Sequence, residues 1–276
     1  MRIKSLELRA RTIVEGFLQG LHRSPYHGSS VEFAEYREYV PGDDTRFIDW
    51  KLYARSDRHC IKKFEAETNL HCHLALDLSR SMGFKSIDHS KADYAVTLAA
   101  TFTHFLFGQG DAVGLVSFDS TLRDYYPSQR RVDQLRTLLG ILEKPPEGED
   151  TDLKASFKAI APLFKKRGLV VIFSDLLAPL EGLQSELGFL RSCGHEVALF
   201  HIMDPGEMDL DFTPASRFKD LETGQIIYID PAAARESYLE KMGAHLEQVE
   251  TLCKGLGIDS IRTATDSPFD QPLYDL

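Results

Sequence analysis

From residue 70 onward the chain alternates short apolar runs with amphipathic stretches of three or more helical turns, a rhythm that few folds accept. The apolar runs at 74–76, 112–118, 169–173 and 197–202 have the length and continuity of strands buried on both faces. The stretches at 90–107, 131–143, 153–164 and 180–192 carry apolar residues at helical spacing, and Gly194 supplies a stop for the last. Strands that alternate with helices pack as a mostly parallel α/β sheet with helices on both faces. Residues 122–126 follow the second strand too soon for a crossover helix, so they are expected to form an antiparallel edge strand. Residues 217–220 and 225–229 flank Glu222-Thr223-Gly224 and read as a hairpin inserted late in the sheet. A helix over 231–256 and a strand over 258–262 complete the pattern. The tail, 266–276, has two prolines and no periodicity and is expected to be loose.

Ahead of this domain, Leu6, Leu8, Ile13, Val14, Phe17, Leu18 and Leu21 lie at helical spacing, so an amphipathic helix should end before residue 24 and cover an apolar surface. Residues 31–40 alternate apolar and charged side chains before Pro41, and an extended pattern resumes at 61–64. The expected organisation is therefore a small N-terminal α+β appendage over 1–69 packed on the main domain at 70–265, whose hairpin insertion lies near 216–230.

The chain carries 32 Lys and Arg against 42 Asp and Glu, a formal charge of −10, which argues against binding a nucleic-acid backbone. No apolar run nears the roughly 20 residues that span a bilayer. Residues 1–11 mix charge with leucine instead of building a signal-peptide apolar region. The expected location is the cytoplasm, without direct membrane insertion. Cys60, Cys72, Cys193 and Cys253 are scattered, as suits reduced thiols and neither a zinc ribbon nor a disulfide frame.

The chemistry concentrates after the first strand, at Asp77-Leu78-Ser79-Arg80-Ser81. Open α/β sheets bind ligands beyond the carboxyl ends of strands where the strand order reverses, between the first and fourth strands in the common order. Asp77 leaves strand one, Asp175 follows strand four, and Thr151 lies in the connection leading to strand four. Asp77, Ser79, Ser81, Thr151 and Asp175 thus converge on one rim, and all donate oxygen. That selects a hard divalent cation, and so few carboxylates suit Mg²⁺, with Mn²⁺ as a substitute. The three hydroxyls are expected to bind directly and the two Asp side chains largely through metal-bound water, leaving one position open. Helix capping is the competing role for these residues. His71 and His73 share a strand face around Cys72 but lack further ligands at useful spacing for zinc. Asp111 and Asp119 bracket the second strand as end caps, with Asp119 also near the metal rim.

The order of these residues resembles the metal-ion-dependent adhesion site of von Willebrand factor A domains, over about residues 70–262. The resemblance implies a doubly wound, Rossmann-type sheet, and an ion whose open position takes an acidic side chain from a partner protein. Leu176 follows Asp175 where many such domains carry Gly, a departure that bears on loop shape and so on ion affinity. Upstream, Tyr36-Arg37-Glu38-Tyr39-Val40-Pro41-Gly42-Asp43-Asp44-Thr45-Arg46-Phe47-Ile48-Asp49-Trp50-Lys51, then Ala54-Arg55 and Lys63-Phe64-Glu65, resemble the signature of the bacterial domain-of-unknown-function fifty-eight family. Asp204-Pro205 with Glu207, and Asp220-Leu221-Glu222-Thr223-Gly224 before Tyr238, agree with it. Members are similar to von Willebrand factor A proteins encoded beside MoxR-type AAA+ ATPases. The resemblance therefore implies a non-catalytic, chaperone-like role with such an ATPase or its client. The alternatives are a Mg²⁺-dependent phosphohydrolase and an ion-free structural adaptor. Haloacid-dehalogenase-like enzymes keep their nucleophile where Asp77 stands, but they need a second Asp two residues on, and Ser79 occupies that place.

Within the signature, Gly42, Asp43 and Asp44 suit a tight turn, while Arg46, Asp49, Lys51 and Arg55 can form ion pairs around Trp50. Dense opposite charges most often satisfy one another, so the cluster is expected to join the appendage to the main domain rather than to serve as a partner surface. Arg46→Ala and Trp50→Ala should then lower the melting temperature of the whole chain. The loss of a buried partner costs about 3 to 5 kcal/mol, against about 0 to 1 for an exposed pair. Unchanged thermal melts in both variants would favour the partner-surface role.

Overall fold

The apolar runs become the centre of a six-stranded sheet in the computed structural model, which describes residues 5–23, 36–38, 53, 60–62, 70–144, 152–210, 216–219, 226–229 and 231–274. The chain divides into two units, residues 1–18 with 70–276 and residues 19–69. In the smaller unit β1 (Tyr36–Glu38) and β2 (Cys60–Lys62) pair antiparallel. The signature residues Gly42, Asp43, Asp44, Arg46, Asp49, Trp50, Lys51 and Arg55 lie outside the described residues, as does Thr151.

The main unit opens with residues 6–18 of α1 (Leu6–Arg23) and then holds β3 (His71–Asp77), α2 (Lys91–Gln109), β4 (Ala112–Phe118) and β5 (Leu122–Gln129). Next come α3 (Val132–Leu142), α4 (Leu153–Ile160), β6 (Leu169–Ser174), α5 (Leu183–Ser192), β7 (Glu196–Met203) and α6 (Pro205–Asp209). After β8 (Ser216–Lys219) and β9 (Ile226–Ile229), the chain ends in α7 (Pro231–Leu256), β10 (Asp259–Ala264) and α8 (Gln271–Tyr274). Across the sheet the order is β10-β7-β6-β3-β4-β5, parallel except for the antiparallel β4–β5 edge. The order reverses between β3 and β6, as the doubly wound reading requires.

Strand periodicity sorts the core into two layers. Leu74, Leu76, Val113, Leu115, Val171 and Phe173 face one cluster with α1, α2 and α3. Ala75, Val116, Phe118, Val170 and Ile172 face a second, with residues of α4, α5 and α7. Helix α2 is buried nearly all round, because α1 lies over it: Phe17 meets Phe105 at 5.5 Å, and Arg9 donates to Thr97 Oγ1 at 2.9 Å. The hydroxyls of Thr97, Thr101 and Thr103 donate to carbonyls four residues back, which satisfies them where no water reaches. Gly168 is required by close approach, since a Cβ there would stand 1.9 Å from the His71 carbonyl oxygen.

Two expectations are corrected. The hairpin does not enter the main sheet: β8 and β9 pair with each other in a separate two-stranded sheet, and β10 takes the free side of β7 in parallel. The tail is not loose up to residue 274. Pro272 and Leu273 are buried, Phe269 stacks on Tyr94 at 4.6 Å, and Tyr274 meets Phe17 at 4.7 Å, so aromatic contacts hold a segment that has no periodicity. Among the described residues, no helix is long and apolar enough to cross a membrane.

His73 and His201 lie buried, each with Nε2 on a backbone carbonyl, and burial pushes both down to about 4. An unfolded chain takes up these protons from about pH 6.5 downward, whereas the folded chain resists until about pH 4. The histidine contribution to stability is therefore complete above pH 6.5 and shrinks as the pH falls to 4, by on the order of 3 kcal/mol per histidine. His73→Gln should flatten the melting-temperature profile between pH 6.5 and 4 relative to wild type. Identical profiles would contradict this assignment.

Candidate functional site

The carboxyl ends of β3 and β6 lie side by side where their connections part to opposite faces of the sheet. Asp77 closes β3 with no exposed surface, and both its oxygens are engaged by neutral donors. Oδ1 accepts the Ser79 N–H at 2.9 Å, the local turn that Asp favours, and Oδ2 accepts the Ser174 hydroxyl at 2.5 Å. Ser79 Oγ lies 3.1 Å from Ser81 Oγ. Ser79 is buried and Ser81 half-buried, so the cluster meets solvent on the Ser81 side. Asp77, Ser79 and Ser81 are thus brought together at the end of β3. The Ser90–Asp93 capping box starts α2 just beyond this loop, so capping of that helix falls to other residues.

Asp175 is buried beside this cluster but bound elsewhere. Its Oδ2 accepts Lys91 Nζ at 2.7 Å, its Oδ1 accepts the Leu177 N–H at 3.1 Å, and its carbonyl oxygen lies 2.8 Å from His201 Nε2. Lys91, in the first turn of α2 and without exposed surface, also donates to both oxygens of Glu207, at 2.6 and 2.7 Å. Glu207 comes from α6, where it completes a capping box with Asp204, and Asp204 in turn accepts the Ser86 hydroxyl and N–H. The Tyr238 hydroxyl of α7 donates to the Glu207 carbonyl at 2.7 Å.

The electrostatics follow from burial. Burial, with the Asp175 charge added to it, pushes Asp77 up to about 7 against the hydrogen bonds of Ser174 and Ser79. Burial also works to lower Lys91, but Asp175 and then Glu207 reverse it, so the ammonium is held above its usual range. Glu207 is raised because its burial outweighs its share of Lys91. Asp175 and Glu207 share one ammonium and Asp77 beside Asp175 has none, so these three carboxylates, when ionised, exceed Lys91 by two negative charges. Such a surplus, next to a carboxylate and two hydroxyls, fits a hard divalent cation. Asp77, Ser79 and Ser81 are the residues that could hold it. Among the described residues, no group of three or more His, Cys, Asp or Glu is placed to bind a metal. His71 instead reaches Ser128 Oγ at 3.0 Å, and His73 stacks on Phe164.

Leu176, which directly follows Asp175, takes the left-handed backbone itself, with φ +47°. Its N–H donates to Ser174 Oγ at 3.0 Å, its carbonyl lies 3.0 Å from His245 Nε2, and its side chain is buried in the core. Burial of the leucine offsets the strain of that backbone, which costs on the order of 1 kcal/mol or more. Asp119 acts as a turn cap: it accepts the Thr121 N–H at 2.9 Å and Arg123 Nε at 2.6 Å. Asp111 likewise caps, accepting the Leu70 N–H at 3.2 Å.

Sequence reading missed Ser174, Lys91 and Glu207 as parts of this site. Lys91 did leave a signal, because a lysine in the first turn opposes the helix dipole and needs a local reason. Glu207 signalled only its capping box.

A six-stranded sheet in this order, parallel but for one edge, has a von Willebrand factor A-like fold. Residues 35–248 match the family described as "Protein of unknown function DUF58", and the chain belongs to it. A relative named as an uncharacterized protein of Mycobacterium tuberculosis is 29% identical over 272 residues, 96% of this chain and 84% of its own length. Among solved structures, an aerotolerance-related membrane protein of Bacteroides fragilis aligns with a TM-score of 0.51 at 16% identity, covering 74% of this chain and 95% of that one. The SpRpn10 VWA domain aligns at 0.43 and 8%, covering 75% and 94%.

The raised Asp77 yields a pH test. The folded chain holds this proton up to about pH 7 while an unfolded one releases it near 4, so without divalent ions Asp77 costs stability as the pH rises through that window. In chelator, Asp77→Asn should therefore melt above wild type at pH 8 and lose that advantage near pH 4. The opposite order at pH 8 would show that the carboxylate has a cationic partner already.

Proposed function

We propose that this chain is a non-catalytic, Mg²⁺-dependent protein-binding module, with Mn²⁺ able to substitute, that acts with a MoxR-type AAA+ ATPase in assembling or maturing protein complexes. The observation that carries this reading is the cluster of Asp77, Ser79 and Ser81 at the reversal point, where a buried carboxylate is met only by neutral donors. An ion held there supplies positive charge for an acidic side chain of the ATPase or its client, which a chain of charge −10 would otherwise repel. The ATPase enters from the family resemblance. Against a phosphohydrolase, both Asp77 oxygens are tied in hydrogen bonds, and Ser79 stands where the second Asp of such enzymes would act.

A second reading has its own observation. Lys91 already places a cation on Asp175, which favours an adaptor that works without an added ion. Calorimetry separates the two. Under the first reading Mg²⁺ binds at one site, and Asp77→Ala or Ser79→Ala abolishes binding with the fold retained. The ATPase or its client should co-purify with wild type in Mg²⁺ and be lost in EDTA and in Asp77→Ala. Equal recovery in all three conditions would support the ion-free adaptor, and turnover of phosphate esters by the purified chain would overturn the non-catalytic assignment.

A further inference from the structure

Lys91 has no exposed surface and sits between two carboxylates, Asp175 and Glu207. Each carboxylate oxygen of Asp175 has a donor, Lys91 Nζ on Oδ2 and the Leu177 N–H on Oδ1. Asp77 differs, since its donors are a hydroxyl and an amide that carry no charge. Glu207 also holds the ammonium, so Lys91 cannot swing away without leaving the buried Asp175 and the half-buried Glu207 uncompensated. The arrangement therefore divides the two aspartates at the reversal point into one that is neutralised internally and one that is not.

We propose that Lys91 is a positioning residue that withholds Asp175 from a bound ion, leaving Asp77 as the one carboxylate available, and so makes the site select Mg²⁺ over Ca²⁺. The inference rests on reading Asp77, Ser79 and Ser81 as an ion site. Its physical basis is the difference between the two ions. Ca²⁺ takes six to eight oxygens and tightens with each added carboxylate, whereas Mg²⁺ keeps most of its waters and needs only one or two carboxylates. An ammonium parked on Asp175 removes the ligand that Ca²⁺ would gain from.

The test uses the whole chain with MgCl₂ or CaCl₂ alone as the probe. Lys91→Met by itself strands Asp175 and Glu207, so the informative variant is Lys91→Met with Glu207→Gln, which removes one positive and one negative charge and keeps the cluster's net charge. With the fold checked by circular dichroism and thermal melting, Ca²⁺ affinity in this variant should rise about tenfold or more and Mg²⁺ affinity should change less. Adding Asp175→Asn should cancel the gain. Asp175→Asn in the otherwise native chain, which needs no double substitution to fold, should weaken Mg²⁺ by less than about tenfold, while Asp77→Asn abolishes binding.

Unchanged Ca²⁺ affinity in the folded double variant, a gain that survives Asp175→Asn, or loss of Mg²⁺ from Asp175→Asn alone would each overturn the role of Lys91. If wild type binds neither ion but the double variant gains a Ca²⁺ site that depends on Asp77, Lys91 does withhold Asp175, but the selection of Mg²⁺ and the magnesium-dependent function both fall. If no variant binds an ion, both fall.

Discussion

A lysine with no exposed surface stays charged inside an α/β core only when carboxylates come to it, and Lys91 draws three distant elements together for that reason. Its ammonium fixes the start of α2 against the end of β6 through Asp175 and against α6 through Glu207. A pair of this kind gains little net stability over an apolar core of the same shape, but removal of one member is costly because the others remain buried and charged. The loops after β3, β6 and β7 are thereby held in one arrangement. Asp204 adds to it by binding Ser86 from the loop that carries Asp77 and its serines.

The sheet decides where this charge can gather. Parallel strands end on one side, and the helices that follow β3 and β6, α2 and α5, pack on opposite faces of the sheet. Apolar layers above and below are built from alternate residues of the same strands, and at the rim the buried Asp77 lies beside the hydroxyls of Ser79 and Ser81, the latter half-buried. Helix α1 extends one layer outward by covering α2, and the aromatic contacts of residues 269–274 close its far side.

The loop after β6 shows how a fold keeps a backbone shape without the residue that suits it best. A glycine would adopt the left-handed conformation freely. Leu176 adopts it because its side chain fills the core beside α4 and α5, while its N–H and carbonyl are taken by Ser174 and His245. Tertiary contacts here outweigh a local preference, and they place Ser174 where its hydroxyl reaches both Asp77 and the Leu176 amide.

What the sequence by itself determined was whatever short-range pattern encodes. The four buried strands, the edge strand after too short a link, and the helices with Ser90 at one start and Gly194 at one stop all follow from spacing within some 20 residues, while the reversal point follows from the order in which such strands alternate with helices. The tertiary structure alone decided the partners across long separations. Lys91 meets Asp175 from 84 residues away and Glu207 from 116, and Ser174 meets Asp77 from 97. The hairpin's exclusion from the sheet depended on β10 claiming the free side of β7, and the tail's docking on aromatic surfaces from α1 and α2. Periodicity records which face of an element is apolar, but which charge a buried charge will find depends on how whole layers stack, and no local pattern carries that information.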